Sequence, residues 1–286
     1  MLLNKRISIL YFINIILPDL IAIVLYAILV GIADIYSFFK SFSVPLAVTL
    51  SLGTSLSLLL AFRTGQSYDR WWEARQIWGS IVNDSRTLIR QLQAFSNNDQ
   101  VVKEAIERQI IWCFAMGEYL RKLPFSERVN NYLAYHDINP DQAANLLLSE
   151  HSKAIKTAGV NAYQQVQLDS TIMRLCDAMG KCERIKNTVF PRSYSMLIHF
   201  IIYVFATLLP FGIPDESPLM EIGLTIIIPV IFIAIEKTSI LMQDPFENRP
   251  VDTSVTAIAQ GIEKSLKGMI GETVSLPPAS DTYYVL

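Results

Sequence analysis

The sequence predicts an all-α membrane protein, and three observations carry that prediction. Hydrophobic residues make up 51% of the 286 and charged residues only 17%, where a soluble domain usually spends about a quarter of its residues on charge. Two long stretches, Ser41 to Phe62 and Ser193 to Pro214, carry no charged residue. The polar region between them repeats its apolar residues at helical spacing. So high an apolar content excludes a disordered chain. The net charge of −2 removes any bulk basic surface of the kind that binds nucleic acid.

The membrane helices come first. Each charge-free stretch covers 22 positions, about 33 Å at helical rise and enough for a hydrocarbon core of about 30 Å. Two shorter uncharged segments accompany them, Leu20 to Ala33 and Ile222 to Ile235. Each spans only if neighbouring helices bury its ends. Four membrane helices are therefore expected. Lys5-Arg6 and the apolar run Ile7–Leu17 imitate a signal peptide, but Pro18-Asp19 and bulky residues stand where a small-x-small cleavage site belongs. An interfacial helix leading into the first span is the expectation.

The remaining elements follow in order. Trp71, Ile77, Trp78, Ile81, Leu88 and Leu92 keep a helical period from Ser67 to about Phe95. Asn97-Asn98-Asp99 signals a turn, and Val101–Leu120 resumes the period until Leu123-Pro124. Asp137 to Asp141 marks another break, Ser170 to Lys186 reads as helix, and Pro191 sets the entry to the third span. The tail from Leu276 reads as loosely ordered.

Basic residues set the orientation. Sixteen of the 24 Lys and Arg lie between Arg63 and Phe190, and four follow Ile235, whereas the two short loops on the other side hold only Lys40. Both termini are expected in the cytoplasm. The division is residues 1–62 for the N-terminal helix and first two spans, 63–191 for a cytosolic helical region, 192–235 for the last two spans and 236–286 for a cytosolic helix and tail.

Catalytic constellations are missing: there is no His-Glu-x-x-His, Gly-x-Ser-x-Gly, Walker loop or Gly-x-Gly-x-x-Gly. No enzyme, cofactor or metal is expected. Cys113, Cys176 and Cys182 read as reduced thiols packed in helices. His199 has the most provocative address, inside the third span, and a hydrogen bond within the helix bundle is its ordinary reading. Asp19, Asp34, Glu221 and Glu236 fall near span ends, which leaves no mid-membrane carboxylate for a proton relay.

One run stands out, Phe62-Arg63 continuing through Tyr68, Arg70-Trp71-Trp72-Glu73-Ala74-Arg75 to Trp78-Gly79. Taken alone it reads as an interfacial belt of aromatic rings and snorkelling Arg. With Cys182-Glu183-Arg184-Ile185, Pro191, Tyr194 and Asp244-Pro245-Phe246 in order, it resembles the bestrophin family of ion channels, over roughly residues 1 to 270. The resemblance implies a multi-pass homopentamer in a bacterial cell membrane, with one central pore that passes small monovalent ions and with membrane lipids as its other partners. A membrane carrier or a non-conducting scaffold on the same fold is the alternative.

The same resemblance implies the site residues. The apolar neck of the second membrane helix falls on Thr54, Leu58 and Phe62, with Thr54 standing where the family usually has an apolar residue. Residues four apart share one helix face, as a pore-lining row must. From the residues alone, Leu58 and Phe62 read as lipid-facing or packed. The cytosolic constriction falls on Ile172, ten positions before Cys182, whose ordinary reading is a core residue. Animal members bind calcium after the Asp-Pro-Phe motif. Here Glu247 and Asp252, with Arg249 between them, are too few acids for a cation wanting six to eight oxygens. Asp34, Asp215, Glu216 and Glu221 against Lys40 leave the outer loops net negative by three charges per chain. That field is the reason to expect a preference for cations, with anions the alternative if the charge argument fails.

Overall fold

The computed structural model describes residues 9–35, 43–188, 190–213 and 218–274. Among these, all regular structure is helical: α1 (Ile9–Ile35), α2 (Leu46–Phe95), α3 (Asp99–Leu120), α4 (Glu127–Tyr135), α5 (Ala143–Thr157), α6 (Ala162–Asn187), α7 (Arg192–Leu208), α8 (Pro218–Met242) and α9 (Val255–Gly268), with single 3-10 turns at Pro140–Gln142 and Pro210–Gly212. The chain forms two compact units. Of the described residues, one comprises 9–35, 43–70, 190–213 and 218–243, the other 71–188 and 244–274. The expected tail after Leu276 lies outside the described residues.

The first unit holds the apolar helices. Ile23, Leu56, Leu60, Ile198, Ile202, Phe205 and Ile233 form its core. Three helices, α1, α2 and α8, contain apolar stretches long enough to cross a membrane. The 17 residues of α7 cover about 25 Å. It stops at Leu208 rather than running on to Pro214, because Pro210 lacks the N–H that would continue the ladder and the chain tightens into a 3-10 turn.

Two expectations change here. The expected interfacial helix is not separate, because α1 runs without a break through Pro18. Proline removes one backbone bond and is tolerated in membrane helices when neighbouring groups cover the gap; α1 packs chiefly against α8. The fourth segment is longer than Ile222 to Ile235, since α8 continues to Met242. Two charges sit inside that extension, and both are paired: Glu236 with Arg63 at 3.1 Å and Lys237 with Asp19 at 2.9 Å.

The second unit is a helical bundle around α3, whose Val102, Ile106, Ile110, Trp112, Cys113, Met116 and Leu120 are buried. Asn98 caps α3 by accepting from the Gln100 N–H at 3.0 Å, which explains the turn signal at Asn97–Asp99. Lys122, with φ of +55°, closes the other end in the left-handed conformation, and the Leu123 N–H returns to the Glu118 carbonyl at 3.0 Å. The helix expected from Ser170 starts eight residues earlier. Asn161 and Gln164 form a capping box, each side chain bonding the other's backbone N–H at 3.0 and 2.9 Å. Burial pushes the Cys113 and Cys182 thiols up to about 12, so both stay protonated. All three cysteines are free.

Candidate functional site

The first half of α2 has two contrasting faces. Leu56, Leu60, Arg63 and Ser67 are buried at helical spacing against the rest of their unit. The opposite stripe, Leu50, Thr54, Leu58 and Phe62, is exposed; Leu58 retains 57% and Phe62 59% of its surface. The hydroxyls on this helix do not make the exposed stripe more polar. Ser51, Thr54, Ser55 and Ser57 each donate to the carbonyl four residues back, at 2.7 to 2.9 Å. The Thr54 proton is therefore spent on the Leu50 carbonyl, which narrows the difference between Thr54 and an apolar residue. Gly53 sits where the Phe205 ring comes to 3.0 Å of the place a Cβ would occupy, so α7 approaches the α2 backbone closely there.

The buried stripe carries a charge that the hydropathy profile places at a span end. Arg63 is fully enclosed and donates from Nη1 to Glu236 Oε1 at 3.1 Å and from Nη2 to the Ser195 hydroxyl at 2.8 Å. The other Glu236 oxygen accepts from His199 Nδ1 at 3.0 Å. Ser67 and Ser239 share a hydrogen bond of 3.1 Å one turn further along, and the Tyr194 hydroxyl donates to the Leu59 carbonyl at 3.2 Å. These contacts tie α2, α7 and α8 at one level, through groups that would each cost several kcal/mol to bury unpaired. His199 thus makes the hydrogen bond within the bundle that its position suggested. Glu236, Arg63 and Ser195 were not anticipated as a cluster. The signal for them is an Arg directly after one uncharged run and a Glu directly after another.

Not every expected site residue reaches an exposed surface. Ile172 retains only 5% of its surface and lies in the core of the second unit, beside Leu88, Leu92, Ala105 and Ile155. Within the single chain Ile172 is thus a core residue, which is its ordinary reading. Spacing placed it on α6 but could not say which face it occupies. Asp215 and Glu216 lie outside the described residues, and Asp34 and Glu221 belong to α1 and α8 by backbone alone.

The segment after α8 is closed by its own acids. Asp244 Oδ1 accepts from the Phe246 N–H at 2.9 Å, and Oδ2 takes the Lys186 ammonium at 2.7 Å. Phe246 is buried. Asp252 Oδ2 accepts from the N–H groups of Glu247 and Arg249 at 2.7 and 3.0 Å, while Arg249 pairs with Glu247 at 2.8 Å. Desolvation raises the Asp252 carboxyl to about 6. Among the described residues no three His, Cys, Asp or Glu converge as metal ligands. Asp252 Oδ1 is left without a partner, but Asp252 Oδ2 and Glu247 Oε2 are spent on backbone N–H groups and Arg249, far from the six to eight oxygens calcium takes.

Other residues of the sequence run act as packing elements. Trp78 is fully buried, the Trp71 indole donates to the Val251 carbonyl at 2.9 Å, and Glu73 pairs with Arg184 at 3.0 Å.

Known proteins share this architecture. The family described as bacterial and fungal bestrophin proteins matches residues 7–268. A voltage-dependent anion channel-forming protein of Synechocystis is 26% identical over 90% of this chain and 86% of its own. One of Nostoc is 29% identical over 78% and 76%, and one of Escherichia coli K12 is 27% identical over 77% and 75%. Among solved structures, a variant of a bestrophin homologue from Klebsiella pneumoniae superposes with a TM-score of 0.80 over 90% of this chain and 99% of its own, at 22% identity. The all-helical fold, the apolar helices and the sequence match agree, and the chain belongs to the bestrophin family.

Proposed function

We propose that the chain is one subunit of a bestrophin-type ion channel, in which five copies surround a pore lined by Thr54, Leu58 and Phe62. One observation carries the reading: α2 exposes an uncharged stripe on one face while its opposite face is fixed by Arg63 and a buried apolar row. A stripe of this kind, repeated around an axis, makes a narrow apolar neck that impedes ions by dewetting. Beside it, Leu60, Ala61, Thr64 and Tyr68 of α2 and Phe232 and Ile235 of α8 line an open apolar groove of about 530 Å³. A second copy of the chain would fill it. Four spans with both termini in the cytoplasm of a bacterial cell remain the proposed topology, with residues 63–191 and 236–286 on the cytosolic side.

For selectivity the proposal departs from the outer-loop charge count, which pointed to cations. The relatives carry names that specify anions, and the neck itself has no charge to oppose them. Anion conduction is the reading these names support. The test is the reversal potential of the reconstituted protein in asymmetric potassium chloride, with particle symmetry in detergent alongside. Five-fold particles and a potential on the chloride side are the expected results. A potential on the potassium side restores the cation reading. Monomers without conductance overturn the channel.

A further inference from the structure

Two buried polar groups of the second unit share one small cavity, and neither has anything to bond. Arg108 on α3 keeps 8% of its surface and His151 on α5 keeps 2%. Arg108 Nη1 and His151 Nε2 are both enclosed and without a hydrogen-bond partner. Both residues line a cavity of about 10 Å³ whose remaining side chains are apolar, among them Leu88 and Leu92 of α2, Ile155 of α5 and Ile172 of α6. A buried guanidinium is ordinarily answered by a carboxylate, and Nη1 has none. Glu104, one turn earlier on α3, accepts from Gln100 at 2.9 Å, while Glu107 pairs with Arg128 at 3.5 Å and with Lys267 at 3.2 Å. The Tyr132 hydroxyl that bonds Arg108 brings no charge. Burial first, and then the Arg108 charge, hold the His151 pKa well below 6.5. The imidazole is therefore neutral, and its Nε2 tautomer carries an N–H that can donate into the cavity.

We propose that this cavity is a monatomic-anion site, filled by chloride, with Arg108 Nη1 and His151 Nε2 as its two donors. Size, hydrogen bonding and charge each select that class of ligand. A space of about 10 Å³ takes one water-sized guest and shuts out carboxylates, phosphate and sulfate. Water there would turn its own protons toward apolar walls and leave the guanidinium charge unopposed. A halide has no proton to place. It accepts from both nitrogens and neutralises Arg108 inside a low-dielectric bundle, where that attraction is strong. The ion ties α3 to α5. Because it binds the folded chain alone, its occupancy adds to stability as chloride rises. The site uses no residue of the proposed neck, so it stands whether or not the chain conducts.

The experiment follows the thermal midpoint of the purified full chain in detergent as sodium gluconate is replaced by sodium chloride at constant ionic strength. Gluconate is too large for the cavity. Wild type is compared with Arg108→Met and His151→Leu. The wild-type midpoint is expected to rise by about 3 °C or more and to level off as the site fills. Arg108→Met should lose the rise, and His151→Leu most of it. Equal wild-type midpoints in the two salts overturn the proposal. A rise that Arg108→Met retains also overturns it, because chloride then binds elsewhere. A long-wavelength anomalous map from crystals grown in chloride decides the matter without any variant. A peak between Arg108 Nη1 and His151 Nε2 is the expected result, and a water there, or no peak, overturns the site.

Discussion

Arg63 and Glu236, separated by 173 residues of sequence, meet at 3.1 Å with 0% and 2% of their side chains exposed. The pair holds α2 against α8. Breaking a buried pair by deleting one partner strands the other charge and typically costs about 3–5 kcal/mol, whereas replacing both by apolar groups of similar size is often neutral. Arg63→Met and Glu236→Leu should therefore each lower the thermal midpoint in detergent strongly. The double variant should recover most of the loss. Additive losses would show that the pair does not act as a unit.

The proposed neck gives a second prediction. Leu58 and Phe62 present apolar side chains on the exposed stripe of α2, and a smaller ring of side chains admits water more readily. Leu58→Ala and Phe62→Ala should raise ion flux at equal reconstitution, by about threefold or more, with little change in unfolding. Thr54→Val should leave flux near the wild-type level, because the Thr54 proton is already committed to the Leu50 carbonyl. Unchanged flux in both alanine variants would remove these residues from the neck.

A third prediction concerns the second unit. Gly117 faces Val255 so closely that an added Cβ would lie 2.6 Å from the valine Cγ1. Overpacking of this kind costs about 1–3 kcal/mol, set against about 1 kcal/mol that alanine gains over glycine inside a helix. Gly117→Ala should destabilise the wild-type protein. In a Val255→Ala background the clash is gone, and the same substitution should stabilise. The reversal of sign in denaturation midpoints is the measurement.

The limits of the sequence follow from the same residues. Period and hydropathy were enough for most of the helices, because each is written in residues three or four apart. The exposed stripe Thr54-Leu58-Phe62 was reached through family resemblance, and its spacing agreed. The Arg63–Glu236–His199 cluster was hidden because a hydropathy window treats every charge as the end of a span, and pairing across 173 residues is invisible to it. The continuity of α1 through Pro18 is not legible in the sequence, since it depends on packing against α8. Ile172 shows the limit from the other side. Spacing gives its position along a helix, but facing is decided by what the helix packs against, within this chain the core beside Leu88 and Ile155.

The last prediction sets two buried groups against each other as pH falls. The Asp252 carboxyl, lifted from 3.8 to about 6 by burial, holds its proton in the folded state over a range where the unfolded chain has lost it. Stability from this group is present below the unfolded value and is lost as pH rises through about 6. By about 1.4 kcal/mol per unit, the folded protein carries roughly 3 kcal/mol of unfavourable ionisation at pH 7.5. Asp252→Asn keeps an oxygen for the Glu247 and Arg249 N–H groups without the charge, so it should stabilise the protein at pH 7.5 by about 1–3 kcal/mol. At pH 4 it should add little. His151 acts in the opposite direction. It is fully buried, with Arg108 nearby, and both effects hold its pKa well below 6.5. The unfolded chain takes up that proton first, so His151 opposes folding as pH drops below about 6.5. His151→Leu should flatten the acid limb of the stability profile, and Asp252→Asn should steepen it. Calcium enters as the control: since Asp252 Oδ2 is already engaged by two backbone N–H groups and Glu247 Oε2 by Arg249, too few oxygens are left for the ion, and micromolar calcium should leave the wild-type midpoint unchanged. A calcium-dependent rise in the midpoint that Asp252→Asn abolishes would mean the loop opens to bind the ion.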